Sequence, residues 1–182
     1  MSEPEVTAPL TVAEIKREKM EKRDRVARVD GAFEVVGSFF CIWIVLRWEW
    51  FLQVLDMMGM PNFVPVPSVA VIERFQAWII AVALIGAVVG GMKVFSRRWN
   101  YPLAAAFTVH RLFDSWVLLM VVTSGQLLRN ETIESWAQMT GRSFTQIQIS
   151  SSIFLTIIAL FIVAISLGSC VYRWVQASRQ GL

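Results

Sequence analysis

Three ionisable residues, His110, Arg111 and Asp114, lie in the middle of an apolar segment that runs from Tyr101 to Thr123. The segment has the length of a membrane span, which needs about 20 residues. Placing an ionisable side chain in hydrocarbon costs about 2.5–3.5 kcal/mol, so these side chains must face a protein partner or a polar cavity. The segment therefore predicts a polar site inside a membrane protein.

A second pair of charges, Arg47 and Glu49, interrupts the first apolar segment of the chain. At a rise of 1.5 Å per residue, Arg47 and His110 both lie about 20 Å from the starts of their predicted helices. Arg111 and Asp114 are three residues apart, a spacing that permits an ion pair. We expect one buried polar network, without net charge when its histidine is neutral, that comprises Arg47, Glu49, His110, Arg111 and Asp114.

Three interpretations of this network are open. In the first, it locks the first and third membrane helices together or caps a partner subunit. In the second, it is a path for protons or ions, because a histidine beside an aspartate can titrate near neutral pH. In the third, His110 is the axial ligand of a single haem or chlorophyll-type pigment, and the small residue Ala106 leaves room for a flat ring.

Small residues recur on one face of the second apolar segment. Such residues let helix backbones approach closely in a membrane, where close packing drives helix association. Packing within the chain and packing on another protein both fit the pattern. The predicted helix-packing face consists of Ala83, Gly86, Ala87, Gly90 and Gly91.

The composition is that of a membrane protein. Hydrophobic residues make up 55% of the chain and charged residues only 17%, against about 25% charged residues in soluble domains. Four apolar segments follow one another, and they lack the alternating pattern of barrel strands. We predict an all-α integral membrane protein with four transmembrane helices, at about 32–58, 71–95, 101–128 and 150–171.

A charged segment precedes the first span. Thr11 and Glu14 have the spacing of a capping box, so a helix is expected to begin there and to continue to residue 30. Its basic residues alternate with acidic ones, which favours a solvated or protein-facing helix over a nucleic-acid-binding surface. The predicted organisation is a disordered N-terminus at 1–10, a charged cytoplasmic helix at 11–30, a four-helix transmembrane domain at 31–174 and a short cytoplasmic tail at 175–182.

Lysine and arginine are distributed unequally between the two sides of the predicted membrane domain. Twelve of them flank the side that carries both termini, and three lie on the opposite side. Because positively charged flanks stay in the cytoplasm, both termini are expected to be cytoplasmic. The expected location is a bacterial inner membrane, which the chain crosses several times.

Motifs of an independent enzyme are absent from the sequence. It contains no zinc-binding pattern, no phosphate-binding glycine loop and no nucleophile–base set, and Cys41 and Cys170 lie in apolar segments. We therefore expect no catalysis, no metal and no nucleic-acid partner.

The function expected from these features is that of an accessory or structural subunit of a larger inner-membrane complex, of respiratory, photosynthetic or secretion type. Its partners would be other membrane protein subunits and the lipid bilayer. The first alternative is a small proton- or ion-coupled transport component that uses His110 and Asp114. The second is a pigment- or haem-binding membrane subunit that uses His110.

Overall fold

The computed structural model describes residues 11–24, 28–59, 65–96, 98–125 and 127–179. They form seven helices: α1 (Val12–Asp24), α2 (Arg28–Leu46), α3 (Trp48–Met57), α4 (Val69–Phe95), α5 (Tyr101–Thr123), α6 (Asn130–Thr140) and α7 (Phe144–Ser178). Four of them, α2, α4, α5 and α7, are long and apolar enough to cross a membrane. The predicted all-α architecture with four helices of this length and apolarity is confirmed. The predicted disordered segment 1–10 and the last residues of the predicted tail, 180–182, lie outside the described residues.

Local sequence signals determine where several helices begin and end. The Asn100 side chain accepts a hydrogen bond from the Leu103 amide at the start of α5, and Ser143 and Gln146 form a capping box at the start of α7. Gly141 ends α6 in the left-handed conformation, with a φ of 65°. Only glycine adopts this conformation without a side-chain clash.

At the start of α1, the backbone amide and the hydroxyl of Thr11 both donate to the Glu14 carboxylate, at 2.8 Å each. Because these bonds favour the ionised carboxylate, they lower the pKa of Glu14 from its ordinary value. The Glu14 amide in turn donates to the Thr11 hydroxyl at 3.4 Å, so both hydrogen bonds of the predicted capping box form.

The first membrane helix ends earlier than the sequence predicted. We predicted a helix through Arg47 to about residue 58, whereas α2 ends at Leu46 and the separate helix α3 follows. At Arg47 the backbone leaves the helical region, with φ −119° and ψ 30°. The 19 residues of α2 span about 28 Å, close to the thickness of the hydrocarbon core. The charges of Arg47 and Glu49 therefore lie beyond the end of a helix that is already long enough to cross the hydrocarbon core.

The last membrane helix is longer than its apolar core. With 35 residues, α7 extends over about 52 Å, whereas the sequence predicted only the segment 150–171. Its first turns pack on α6 and the preceding loop through a small apolar cluster of Leu128, Ile133 and Ile147. This packing extends α7 beyond the length that a membrane requires.

The four long helices pack in the order α2–α4–α5–α7. The main partner of α2 is α4, α4 also packs on α5, and α5 packs on α7. In the described part of the chain, α2 and α7 make no comparable contact with each other. The helices therefore form an open arc rather than a closed bundle, and we call the gap between α2 and α7 the open side. We call the membrane face at which α2 and α5 begin the proximal face, and the opposite one the distal face.

At the proximal face, aromatic and polar contacts hold the end of α7 against the start of α5. The Arg173 guanidinium lies 4.3 Å from the centroid of the buried Trp99 ring, and Trp174 Nε1 donates to the Thr108 hydroxyl at 2.9 Å. Arg173 also interacts electrostatically with Asp30 of α2. The two ends of the arc therefore approach each other at this face.

At the distal face, two connecting loops pair through their backbones. The Ser68 amide donates to the Leu127 carbonyl at 2.8 Å, and the Arg129 amide donates to the Val66 carbonyl at 3.3 Å. The Arg129 guanidinium also lies 3.5 Å from the Asp56 carboxylate. These contacts join the end of α3 to the loop before α6.

Candidate functional site

The candidate site depends on the crossing of α2 and α4, where two glycines bring the backbones together. A β-carbon on Gly31 would lie 2.7 Å from the Gly90 carbonyl oxygen, and a β-carbon on Gly90 would lie 2.8 Å from the Gly31 carbonyl oxygen. Only residues without a side chain allow such an approach. This crossing sets the distance between the polar side chains of the two helices.

The predicted packing face of α4 is divided between the interior and the surface. Its buried members are Ala83, Gly86 and Gly90. Its half-buried members are Ala87 and Gly91. Gly90 meets α2, whereas Gly86 meets side chains of both α2 and α5. A β-carbon on Gly91 would meet no described atom within 4 Å, so this glycine lies away from both contacts.

His110 lies where α2, α4 and α5 meet. It is only 7% exposed, and its Nε2 lies 2.9 Å from the position that a β-carbon of Gly86 would take. The Ser38 hydroxyl lies 3.1 Å from the same position and donates to the Glu34 carbonyl at 2.7 Å. The buried Nδ1 of His110 has no hydrogen-bond partner among the described residues. The three helices thus enclose the imidazole.

A buried ion pair that the sequence analysis missed joins α2 to α4. Lys93 Nζ donates to the Glu34 carboxylate at 2.5 Å, and only 11% and 17% of the two side chains are exposed. Both residues interact electrostatically with His110. Neither residue belonged to the predicted polar network.

A signal for this pair was present in the spacing of the small residues. Glu34 lies between Gly31 and Ser38, and Lys93 follows Gly90 by three residues. Residues three or four apart share one face of a helix. On both α2 and α4, the helix face that packs closely therefore also carries the charged residue of the ion pair.

Arg111 and Asp114 form a second, looser pair on α5. Arg111 NH1 lies 3.8 Å from the Asp114 carboxylate, and the two side chains are 36% and 42% exposed. This separation is too long for a hydrogen bond. Arg111 and Lys93 both lie over the ring of Phe107, with the guanidinium carbon 5.2 Å and Nζ 5.0 Å from its centroid. The ring of Phe107 thus contacts a cation of each pair.

The structure does not bring Arg47 and Glu49 to this group. Ser38, which faces His110 across Gly86, precedes Arg47 by nine residues, or about 13 Å along the chain in helical form. Arg47 and Glu49 are exposed and line a cleft of about 430 Å³ between α3 and the start of α4. Because Ser38, and not Arg47, lies level with His110, the two charges lie toward the distal face and not in the layer of His110.

The charged residues around His110 lie in the proximal and middle part of the arc. His110 interacts electrostatically with Glu34, Lys93, Arg111 and Asp114. One to two turns further toward the distal face, the same helix faces carry apolar residues: Val45 of α2, Ile79 and Val82 of α4 and Leu118 of α5. The group around His110 can hold charge near the middle of the membrane, and at these described positions no polar side chain continues it toward the distal face.

The surroundings of His110 do not suit a pigment or haem. An axial ligand must present one ring nitrogen to the planar macrocycle, whereas Nε2 lies against Gly86 and Nδ1 is buried. Among the described residues, no three His, Cys, Asp or Glu side chains cluster as a metal site requires. The chemistry that this arrangement supports is ion pairing and hydrogen bonding.

Comparison of the chain with protein-family models, with curated protein sequences and with solved structures finds no match. The assignment of a function therefore depends on the geometry of the four membrane helices and their charged residues.

Proposed function

We propose that this chain is a non-catalytic accessory subunit of a larger membrane protein complex, and that it contacts its partner along the open side. The observation that carries this proposal is the half-exposed pair of Arg111 and Asp114. The pair lies ten or more residues from Tyr101, the first residue of α5, hence about 15 Å or more from the proximal end of the helix.

An ion pair exposed at this depth is costly in lipid. Ionisable side chains within membrane helices almost always face other protein groups or a water-filled cavity. In the arc, Arg111 lies against Phe107, and Asp114 interacts electrostatically with Cys41 of α2. The pair therefore faces the concave surface between α2 and α7. A partner that covers this surface would remove the pair from lipid.

The orientation belongs to the same proposal. With Lys93 buried in its ion pair and Arg47 beyond the end of α2, eleven basic residues flank the proximal face and four flank the distal face. This asymmetry supports a cytoplasmic proximal face with both termini in the cytoplasm. A bacterial inner membrane is the location that we propose. The charged helix α1 would then lie on the cytoplasmic side.

The test is purification of the full-length chain through a C-terminal tag, in mild detergent, from the membranes of its source organism. We expect a second membrane polypeptide in stoichiometric amount and no visible absorption band. Replacing both charges, R111L/D114L, should abolish co-purification while the chain stays folded, because apolar replacement of a complete ion pair is often neutral or stabilising.

The matched control is V109A/L112A, a double substitution with the same spacing on the same helix. These side chains are 59% and 49% exposed and lie on the surface of α5 that faces away from the open side. This control should retain the partner. If every preparation yields only a monomeric, colourless chain, the subunit proposal is contradicted and the alternative of a proton- or ion-coupled transport component is favoured. A Soret or far-red band would favour the pigment alternative.

A further inference from the structure

The open side is lined by three stripes of residues, one on each of α2, α5 and α7. Residues spaced by three or four share one face of a helix. The starting points are Arg111 and Arg173, which are placed by their contacts with Phe107 and Trp99, and Asp30, which lies within electrostatic range of Arg173. From these residues the spacing assigns the other members of each stripe. They are Asp30, Glu34, Gly37, Cys41 and Ile44 on α2; Phe107, Arg111, Asp114 and Leu118 on α5; and Ile158, Ile162, Ile165, Ser169 and Arg173 on α7.

Together with Lys93 of α4, the charges along these stripes sum to zero. Glu34 pairs with Lys93, Asp114 pairs with Arg111, and Asp30 lies within electrostatic range of Arg173. A further charge brought to the open side would have no counter-ion, and an unpaired charge is strongly unfavourable in a membrane interior. An occupant of the open side must therefore be neutral at this depth.

Hydrogen bonding at the open side, in contrast, is incomplete. The Arg111 guanidinium and the Asp114 carboxylate make no hydrogen bond with a described residue, and their own separation is 3.8 Å. The guanidinium has only donors and the carboxylate has only acceptors. An occupant that satisfies both must present an acceptor and a donor close together, as the side chains of Asn, Gln, Ser and Thr do.

The surface of α2 also leaves space for an occupant. Gly37 is exposed, and a β-carbon there would meet no described atom within 4 Å. Small residues at a helix surface allow the backbone of a neighbouring helix to approach. We call the open space beside Gly37 the notch. On α7, Ile162 and Ile165 are 44% and 58% exposed and share the helix face of Arg173 by their spacing.

Two other occupants fit less well. Lipid headgroups lie at the membrane surface, whereas Arg111 lies about 15 Å from the start of α5, near the middle of a core about 30 Å thick. A second copy of this chain that docked through the rest of its membrane surface would present exposed apolar side chains, such as Val36, Phe40, Leu84 and Phe161. Those side chains supply neither a hydrogen-bond acceptor nor a donor.

We propose that the open side receives one transmembrane helix of a different protein, which is uncharged where it passes Arg111 and Asp114 and carries Asn, Gln, Ser or Thr there. This inference rests on the proposed role as a subunit and adds the position and the chemistry of the partner helix. The partner helix would pack between Gly37 of α2 and Ile162 of α7.

The test combines two matched pairs of variants of the full-length chain in its native membranes. G37L fills the notch at the open side. G168L adds the same side chain at an exposed glycine of α7 that also has no described atom within 4 Å of its β-carbon position, on the surface away from α2. We expect G37L to lower recovery of the partner by about tenfold or more, a change of about 1.4 kcal/mol in binding, and G168L to leave recovery unchanged.

The second pair places the photo-crosslinker p-benzoyl-phenylalanine at Ile162, on the open side, or at the neighbouring Phe161, which is 68% exposed. Position 162 should give an adduct that mass spectrometry maps to an uncharged, polar stretch of a partner's membrane helix, and position 161 should not. Adducts with lipid or with a second copy of this chain would overturn the inference, and so would equal effects of G37L and G168L.

These outcomes separate the two proposals. If a partner co-purifies but both glycine variants keep it and position 162 gives no adduct with it, the chain is a subunit that docks elsewhere and the inference about the open side is wrong. If no membrane polypeptide accompanies the unaltered chain, the proposed subunit role itself fails.

Discussion

Gly86 of α4 and His110 of α5 are in such close contact that a β-carbon on Gly86 would lie 2.9 Å from Nε2 of the imidazole. The same position lies 3.1 Å from the Ser38 hydroxyl of α2. The absence of a side chain at residue 86 is therefore what allows α5 to bring its histidine to the crossing of α2 and α4. This contact links the small-residue pattern of α4 to the polar residues of α5.

Gly86→Ala should destabilise the helix arc, because the added methyl group forces His110 or Ser38 to move. Overpacking of this kind typically costs about 1–3 kcal/mol, which exceeds the gain of about 1 kcal/mol that alanine offers over glycine in a helix. Gly91→Ala is the control, since its β-carbon meets no described atom within 4 Å. Thermal unfolding in detergent should show a lower midpoint for the first variant only; equal midpoints would contradict the contact.

The ion pair between Glu34 and Lys93 should show strong coupling. Glu34→Gln leaves the lysine ammonium, with 11% of its side chain exposed, without its carboxylate, and removing one partner of a buried pair costs about 3–5 kcal/mol. The double variant E34L/K93M should recover most of this loss, because it removes both charges. A double-mutant cycle of unfolding free energies measures the coupling, and additive effects of the single variants would show that the pair contributes little.

His110→Gln should preserve assembly with the partner, because Gln keeps a neutral hydrogen-bonding group of comparable reach. Asp114→Ala should weaken assembly much more, since it leaves Arg111 without its counter-ion. Co-purification of the partner with each variant is the measurement. A His110→Gln variant that folds and assembles but no longer supports the activity of the complex would contradict a purely structural role and point to proton transfer.

The orientation of the chain is testable with reporter fusions. Fusions after residue 179 should be active with a reporter that works only in the cytoplasm, and fusions at residue 65 only with one that works outside it, because the basic residues concentrate at the proximal face. The reverse pattern of activity would place both termini outside the cytoplasm.

The sequence predicted the four membrane helices because length and hydrophobicity determine them almost alone. It did not predict the end of α2 at Leu46, since the apolar residues on both sides of Arg47 continue the pattern and only the backbone at that residue shows the break. Arg47 was placed beside His110 for a separate reason, since both helices were counted from the membrane surface. His110 lies level with Ser38, nine residues before Arg47.

The polar site was predictable only where its members are close in sequence. Arg111 and Asp114 share a turn of α5, and their pairing follows from spacing alone. The pair of Glu34 and Lys93 joins residues 59 positions apart, so it depends on the register of α2 against α4. That register is set by the contact between Gly31 and Gly90, which hydrophobicity does not reveal. The open side likewise depends on which helices pack together.

The most direct test is an electron cryo-microscopy structure of the complex purified through the C-terminal tag. We expect a transmembrane helix of another polypeptide between α2 and α7, with a neutral polar side chain within hydrogen-bonding distance of Arg111 and Asp114. Lipid in that gap, or an arc closed by direct packing of α2 on α7, would contradict this expectation.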